Sequence, residues 1–173
     1  SKADAAKNAT AEQIAESSVF VYGLYVGGRA GLNQIRKSGV ERGKIILNNA
    51  DGSNETANYE KRIIRGESLE KEKIRLDQEF SGSRFSLIYN DNKIVGVVND
   101  SVFTPRDEAS KALTNQIWRG LEGLLRYKEN GSTLTLNARQ KHMGIEYYPL
   151  DVTDKQNRTT RFYVSAKSLR VMW

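Results

Sequence analysis

The side chains that most often carry enzyme chemistry are sparse in these 173 residues. His142 is the only histidine and there is no cysteine, which excludes a thiolate nucleophile, a disulfide and a multi-histidine or H-E-x-x-H zinc site. His142 stands in a polar stretch before Met143-Gly144, which reads as a surface hairpin turn and not as the setting of a general base. No G-x-S-x-G elbow, P-loop or G-x-G-x-x-G fingerprint occurs. Carboxylates are plentiful, and any two meeting in space could form a glycosidase-like pair. The densest group, Glu67, Glu70 and Glu72, has Lys71 and Lys73 interleaved and reads as the solvated end of a hairpin. The oxygen-rich run Asn48 to Glu55 lacks the spaced ligands and terminal bidentate glutamate of a calcium loop, and is expected to be a turn. Asn8, Asn54, Asn99, Asn130 and Asn157 open N-x-S/T sequons, which carry sugar only where the source glycosylates. No catalytic residue, metal or cofactor is therefore expected.

Binding is the remaining class. The net charge of +6 raises the question of an anionic partner. The cations are spread along the chain, and most alternate with apolar residues, which places them on the solvated face of a sheet. Nucleic acid or anionic lipid is the other reading. Tyr59-Glu60-Lys61-Arg62 and Arg161-Phe162-Tyr163 come nearest to an aromatic and basic platform for nucleic acid. Aromatic residues in strands are usually core or cross-strand pairs, so no specific nucleic-acid partner is expected. No apolar run reaches the ~18–20 residues that cross a bilayer as a helix. No basic segment leads into an apolar one at the start, so a mature form without a signal peptide is expected.

The elements that position these residues follow from period and punctuation. Ser1 to Ala9 is small and polar, the composition of a frayed arm. Thr10 with Gln13 makes a capping box, and Ala11, Ile14, Ala15, Ser18, Val21, Tyr22 and Tyr25 recur at helical spacing until Gly27-Gly28. Arg29 to Arg36 makes a second short helical turn. From Ser38 the period is two. Strands are expected at 40–47 and 55–64 around Asn49-Ala50-Asp51-Gly52, at 70–80, from Phe85 to Tyr89, and from Ile94 to Val98. Ser81-Gly82-Ser83 and Asn90-Asp91-Asn92 turn the later ones into an antiparallel meander. Thr104-Pro105 starts one long helix, carried by Ala109, Ala112, Leu113, Ile117, Leu121, Leu124 and Leu125, and Asn130-Gly131 stops it after about Lys128. Four strands close the chain at 133–140, 145–152, 159–165 and 168–173. The expectation is one α+β domain over residues 10–173.

A large sheet under a long helix can enclose space for an apolar ligand or be filled by its own core, and pattern alone leaves both open. At this point a family resemblance enters. Thr10-Ala11-Glu12-Gln13-Ile14, then Tyr25-Val26-Gly27-Gly28-Arg29-Ala30-Gly31-Leu32-Asn33-Gln34-Ile35, resembles the opening of LolA-like lipoprotein-sorting proteins. Tyr147-Tyr148-Pro149-Leu150-Asp151-Val152-Thr153 and Arg161-Phe162-Tyr163-Val164-Ser165 are similar to the family's late hairpin. The resemblance implies a strongly curved, incomplete antiparallel barrel, with the helix after Pro105 as lid or plug on its concave face. It further implies a periplasmic, non-catalytic carrier or binding protein for a lipid, a lipoprotein acyl chain or another apolar ligand. Its partners would be lipid or an acylated protein, with an envelope protein as a further candidate. An interaction or regulatory module of the same fold without a cavity is the alternative. The residues expected to line the cavity are Ile45, Leu47, Tyr59, Ile63, Ile74, Leu76, Phe85, Leu87, Val95, Val97, Trp118, Leu121 and Leu125. Many carriers have a strand arginine that holds the lid, and by the resemblance Arg62 or Arg65, in a comparable stretch, would take that role. The chain departs from the family in its basic charge and in reaching Trp173 within a strand, where relatives continue with a further strand or hairpin.

Overall fold

Thr10 caps the first helix as its type and spacing demand: Gln13 N donates to Thr10 Oγ1 at 3.2 Å, and Thr10 N donates back to Gln13 Oε1 at 2.9 Å. The architecture comes from a computed structural model, described for residues 9–35, 37–48, 51–80 and 82–173. Residues 1–8 of the expected arm, Arg36, Asn49-Ala50 and Ser81 lie outside the described residues. The chain divides into two compact units, residues 36–115 and residues 1–35 with 116–173.

The discontinuous unit opens with α1 (Ala11–Gly23), which buries Ile14, Ala15, Ser18 and Val19 along one stripe. It stops at Gly23, four residues before the expected Gly27-Gly28 break. A Cβ there would sit 2.7 Å from the Gly28 backbone, so only glycine permits the close return of the chain. Gly27 and Gly28, at φ 86° and 72°, then redirect the backbone into α2 (Gly28–Ile35). Arg29 locks this corner, donating to Glu16 at 2.7 Å, to Glu129 at 3.1 Å and to the Leu125 carbonyl at 2.9 Å.

The single long helix expected after Pro105 is two helices, α3 (Asp107–Trp118) and α4 (Leu121–Leu125). Gly120 adopts an extended backbone (φ −73°, ψ 171°) and becomes the N-cap of α4. A Cβ on Gly123 would lie 2.5 Å from the Trp118 carbonyl oxygen, so the second glycine lets the two helical ends approach. Each glycine also costs a helix interior ~1 kcal/mol relative to alanine, which weakens any continuous alternative. The apolar spacing runs on unbroken across the interruption and conceals it.

The second sheet has the order β10-β9-β7, built from β7 (Thr133–Leu136), β9 (Ile145–Thr153) and β10 (Thr159–Ser165), with β8 (Gln140–His142) also pairing β9. The expected strand 133–140 is thus interrupted after Leu136. The last expected strand is reduced to a Val164–Val171 bridge, although Met172 N donates to Tyr163 O and Tyr163 N donates to Trp173 O, both at 2.9 Å. Ile14, Ala15 and Leu124 pack on Leu150, Val152, Phe162 and Val164, a core in which each large side chain contributes about 1.5–3 kcal/mol.

The continuous unit is a meander of six antiparallel strands in sequence order: β1 (Ser38–Asn48), β2 (Asn54–Ile64), β3 (Lys73–Phe80), β4 (Ser83–Asn90), β5 (Lys93–Val98) and β6 (Ser101–Phe103). β6 is too short to announce itself in the sequence. Asp91-Asn92 and Asn99-Asp100 make the tight turns on either side of β5, all four at positive φ as a two-residue hairpin requires. β1 and β6 are the sheet's edges, and no closed barrel forms among the described residues. Between β2 and β3 the chain makes a short 3-10 turn, Leu69–Lys71. Glu72 is not part of a solvated hairpin end as expected: it is 3% exposed and meets Arg65 at 3.1 Å. Burial demands such a partner for its charge.

Candidate ligand-binding face

Side chains alternate across a strand, and registered neighbours share a face, so the pairing of β1 to β6 sorts every residue of the sheet. Ile63, Ile74, Tyr89 and Ile94 form one row across β2 to β5. The next row is Glu41, Lys61, Leu76, Leu87, Gly96 and Phe103, and the one after it runs Gly43, Tyr59, Gln78, Phe85 and Val98. Ile45 pairs with Ala57 and Leu47 with Glu55 on the same side. Ile45, Leu47, Tyr59, Ile63, Ile74, Leu76, Phe85 and Leu87 therefore share one face, although the side chain of Leu47 lies outside what the structure describes. Ile74, Leu76 and Leu87 are buried, and Ile45, Tyr59, Ile63 and Phe85 are half-buried.

Val95 and Val97 do not belong to this set. They pair with Ile88 and Ser86, which puts both on the opposite face, and their strand presents Ile94, Gly96 and Val98 instead. Phe80, Tyr89 and Phe103 join the face unanticipated. Trp118, Leu121 and Leu125 belong to the discontinuous unit. Trp118 is 5% exposed and lies under the Arg158 guanidinium at 4.5 Å, while Leu125 and Leu121 pack with Val19 and Leu32. Arg62 is on the opposite sheet face and meets Glu60 and Asp77, and Arg65, just past β2, meets Glu72.

The face is not uniformly apolar. At its β1–β2 side Tyr59 donates to Glu41 Oε1 at 2.6 Å, and Lys61 Nζ reaches the other oxygen at 2.6 Å. Those bonds, from Lys61 first and then Tyr59, hold the Glu41 carboxyl below the usual range, and the same contact pushes the Tyr59 hydroxyl up. The β3–β5 side carries Ile74, Leu76, Phe85, Leu87 and Tyr89, whose hydroxyl turns away to the Leu69 carbonyl at 3.0 Å. One face thus has an aliphatic and aromatic tract beside an ion pair, Glu41 with Lys61, joined by the neutral Tyr59 hydroxyl. Such a surface can hold an amphiphile by burial and orient it by its polar end. His142 ends β8, exposed, with its ring 6.1 Å from that of Trp173. Among the described residues no cluster of three His, Cys, Asp or Glu could hold a metal, and no helix is long and apolar enough to cross a membrane.

No protein-family model matches the sequence, and no curated protein matches it. Solved structures do resemble the fold. A DUF1329 family protein from Desulfovibrio piger superposes with a TM-score of 0.55 at 12% identity, over 95% of this chain and 72% of that one. A domain named as an outer membrane lipoprotein-sorting protein, from Vibrio parahaemolyticus, superposes with a TM-score of 0.45 at 12% identity, over 83% of this chain and 68% of that one. The first likeness establishes a shared fold. The second is looser. The α+β architecture, with its open six-stranded antiparallel sheet and second sheet, is the fold to which the first likeness applies.

Proposed function

We propose that this chain is a non-catalytic binding or carrier protein for an amphiphile, a lipid or a lipoprotein acyl chain, acting as one functional domain in the periplasm. The observation that supports the reading is the composition of the sheet face just described. The half-buried Ile63 and Phe85 would meet the acyl chain, at ~25 cal/mol for each Å² taken from water, and Ile74, Leu76 and Leu87, already buried, would reach it only where their present cover moves aside. Lys61 and Tyr59 would meet the polar end. Val95, Val97 and Arg62 are left out, because register turns them to the other side. An acylated protein is the partner this chemistry fits. The test is organic extraction of the purified protein followed by mass spectrometry, together with titration of a fluorescent fatty acid. Recovered lipid and saturable uptake are expected. Clean extracts with no saturable uptake would refute the carrier reading and leave an interaction module of the same fold.

A further inference from the structure

The opposite face of the six-stranded sheet has a different chemistry. Arg42, Arg62, Arg75 and Arg84 gather on only two carboxylates. Those carboxylates lie low, the Glu60 side chain 21% exposed and that of Asp77 4%, while the four arginine side chains are 46–73% exposed. The anions are sunk and the cations project. Lys44, Lys73 and Lys93 share the face, are exposed and make no ion pair among the described residues. Only Glu79 adds a further negative charge, so cations outnumber carboxylates seven to three.

Between these charges stand aliphatic side chains that water reaches. Val40 is 56% exposed, Ile64 59%, Val95 38% and Val102 70%, all on this side by register. A groove of about 350 Å³ crosses the face between Ile64 and Ile88, bounded by Arg62, Lys73, Arg75 and Asn90. β-Branched side chains with no polar partner, ringed by projecting cations, match a surface that is apolar just beneath a layer of phosphates.

From this we infer that the outer face of the β1–β6 sheet docks on an anionic lipid bilayer, its lysines and arginines on the headgroup phosphates and Ile64, Val95 and Val102 at the acyl boundary. The inference does not rest on the inner face holding a ligand, since none of these residues points there. It assigns four of the chain's six excess positive charges to one surface and one partner.

Co-sedimentation of the full chain with vesicles tests it, using phosphatidylcholine alone and an equal mixture with phosphatidylglycerol. Binding to the mixed vesicles and not to the zwitterionic ones is expected, weakening as salt rises. Each cation at an anionic surface strengthens binding about fivefold, so Lys73→Glu with Lys93→Glu, which removes two and reverses their sign, should weaken it by at least about 25-fold. The matched pair Lys155→Glu with Lys167→Glu, the same charge change in the other unit, should retain it. Val102→Ser should weaken the binding that survives at high salt. Fatty-acid uptake should be unchanged in the Lys73→Glu/Lys93→Glu variant, which separates this surface from the carrier face. Absence of binding to mixed vesicles would overturn the inference, and so would equal loss from both lysine pairs, which would reduce the effect to net charge. A dimer that dissolves in the Lys73→Glu/Lys93→Glu variant, without vesicle binding, would give the face to a second copy and overturn it too.

Discussion

Phe103 lies over Gly96, its registered partner across β5–β6, so closely that a methyl group on the glycine would meet the ring at 2.3 Å. Tyr59 does the same to Gly43 across β1–β2, at 2.7 Å. A strand glycine leaves a bare patch of backbone, and a cross-strand aromatic ring fills it. Both pairs lie on the face proposed to hold a ligand, one at each side of the sheet. Phe103 is 39% exposed on a three-residue strand, so its ring can swing away from an added methyl. Gly96→Ala should therefore cost only about 1 kcal/mol, read as a lower urea midpoint, with Phe103 more reactive to solvent probes.

Gly31 offers no such escape. A Cβ there would stand 1.4 Å from the Val26 carbonyl oxygen, which is backbone and cannot rotate aside. Gly31→Ala should destabilise the chain by about 3 kcal/mol or more, the upper end of overpacking penalties. A urea midpoint within error of the parent would contradict the close approach.

Asp77 centres the outer charge cluster. Burial raises its carboxyl, but hydrogen bonds from Ser86 and Arg75 and the charges of Arg75 and Arg84 outweigh this and hold it below the ordinary value. Its folded pKa is thus lower than its unfolded one. The stabilisation is present above the unfolded value of about 3.9 and is lost as pH falls through the folded value. Asp77→Asn should cost about 2 kcal/mol at neutral pH by weakening the hydrogen bonds that the buried carboxylate accepts from Ser86 and Arg75, and should flatten the acid limb of the stability profile. Chemical denaturation of both proteins across pH 2–7 compares the two limbs.

Arg29 ties three segments of the discontinuous unit through Glu16, Glu129 and the Leu125 carbonyl, and its guanidinium lies 5.7 Å from the Tyr127 ring. Its side chain is only 25% exposed. Arg29→Ala should cost about 2 kcal/mol, and Arg29→Lys should recover less than half, because an ammonium cannot reproduce the planar fork. Full rescue by lysine in thermal melts would mean that charge alone is at work.

What the sequence disclosed and what it withheld have physical causes. The capping box at Thr10 and Gln13 and the Asp-Gly and Asn-rich turns are local hydrogen-bond and backbone chemistry, and these set the elements where expected. Faces were legible wherever polar and apolar residues alternate, as in Ile74, Leu76 and Phe85. In Lys93 to Val98 they were not, because Ile94, Val95, Val97 and Val98 are all apolar around a glycine. The signal that resolves it was present: a two-residue turn at Asp91-Asn92 forces Asn90 opposite Lys93, which places Ile94 with Tyr89 and turns Val95 outward. Glycines within an unbroken apolar period hid the division between α3 and α4, since the stripe continues while the backbone does not.

The division of the chain also bears on how it becomes itself. Residues 36–115 pair only in sequence order, each strand with the one made just before it, so that stretch can zip up hairpin by hairpin with little loop entropy at stake. The unit containing α1 and α2 cannot do this, because its β-sheet comes after residue 115. At ~5–20 residues per second on the ribosome, these helices wait about 7–30 s for the strands that bury Ile14 and Ala15. During that interval Ile14 and Ala15 lack the sheet that later buries them.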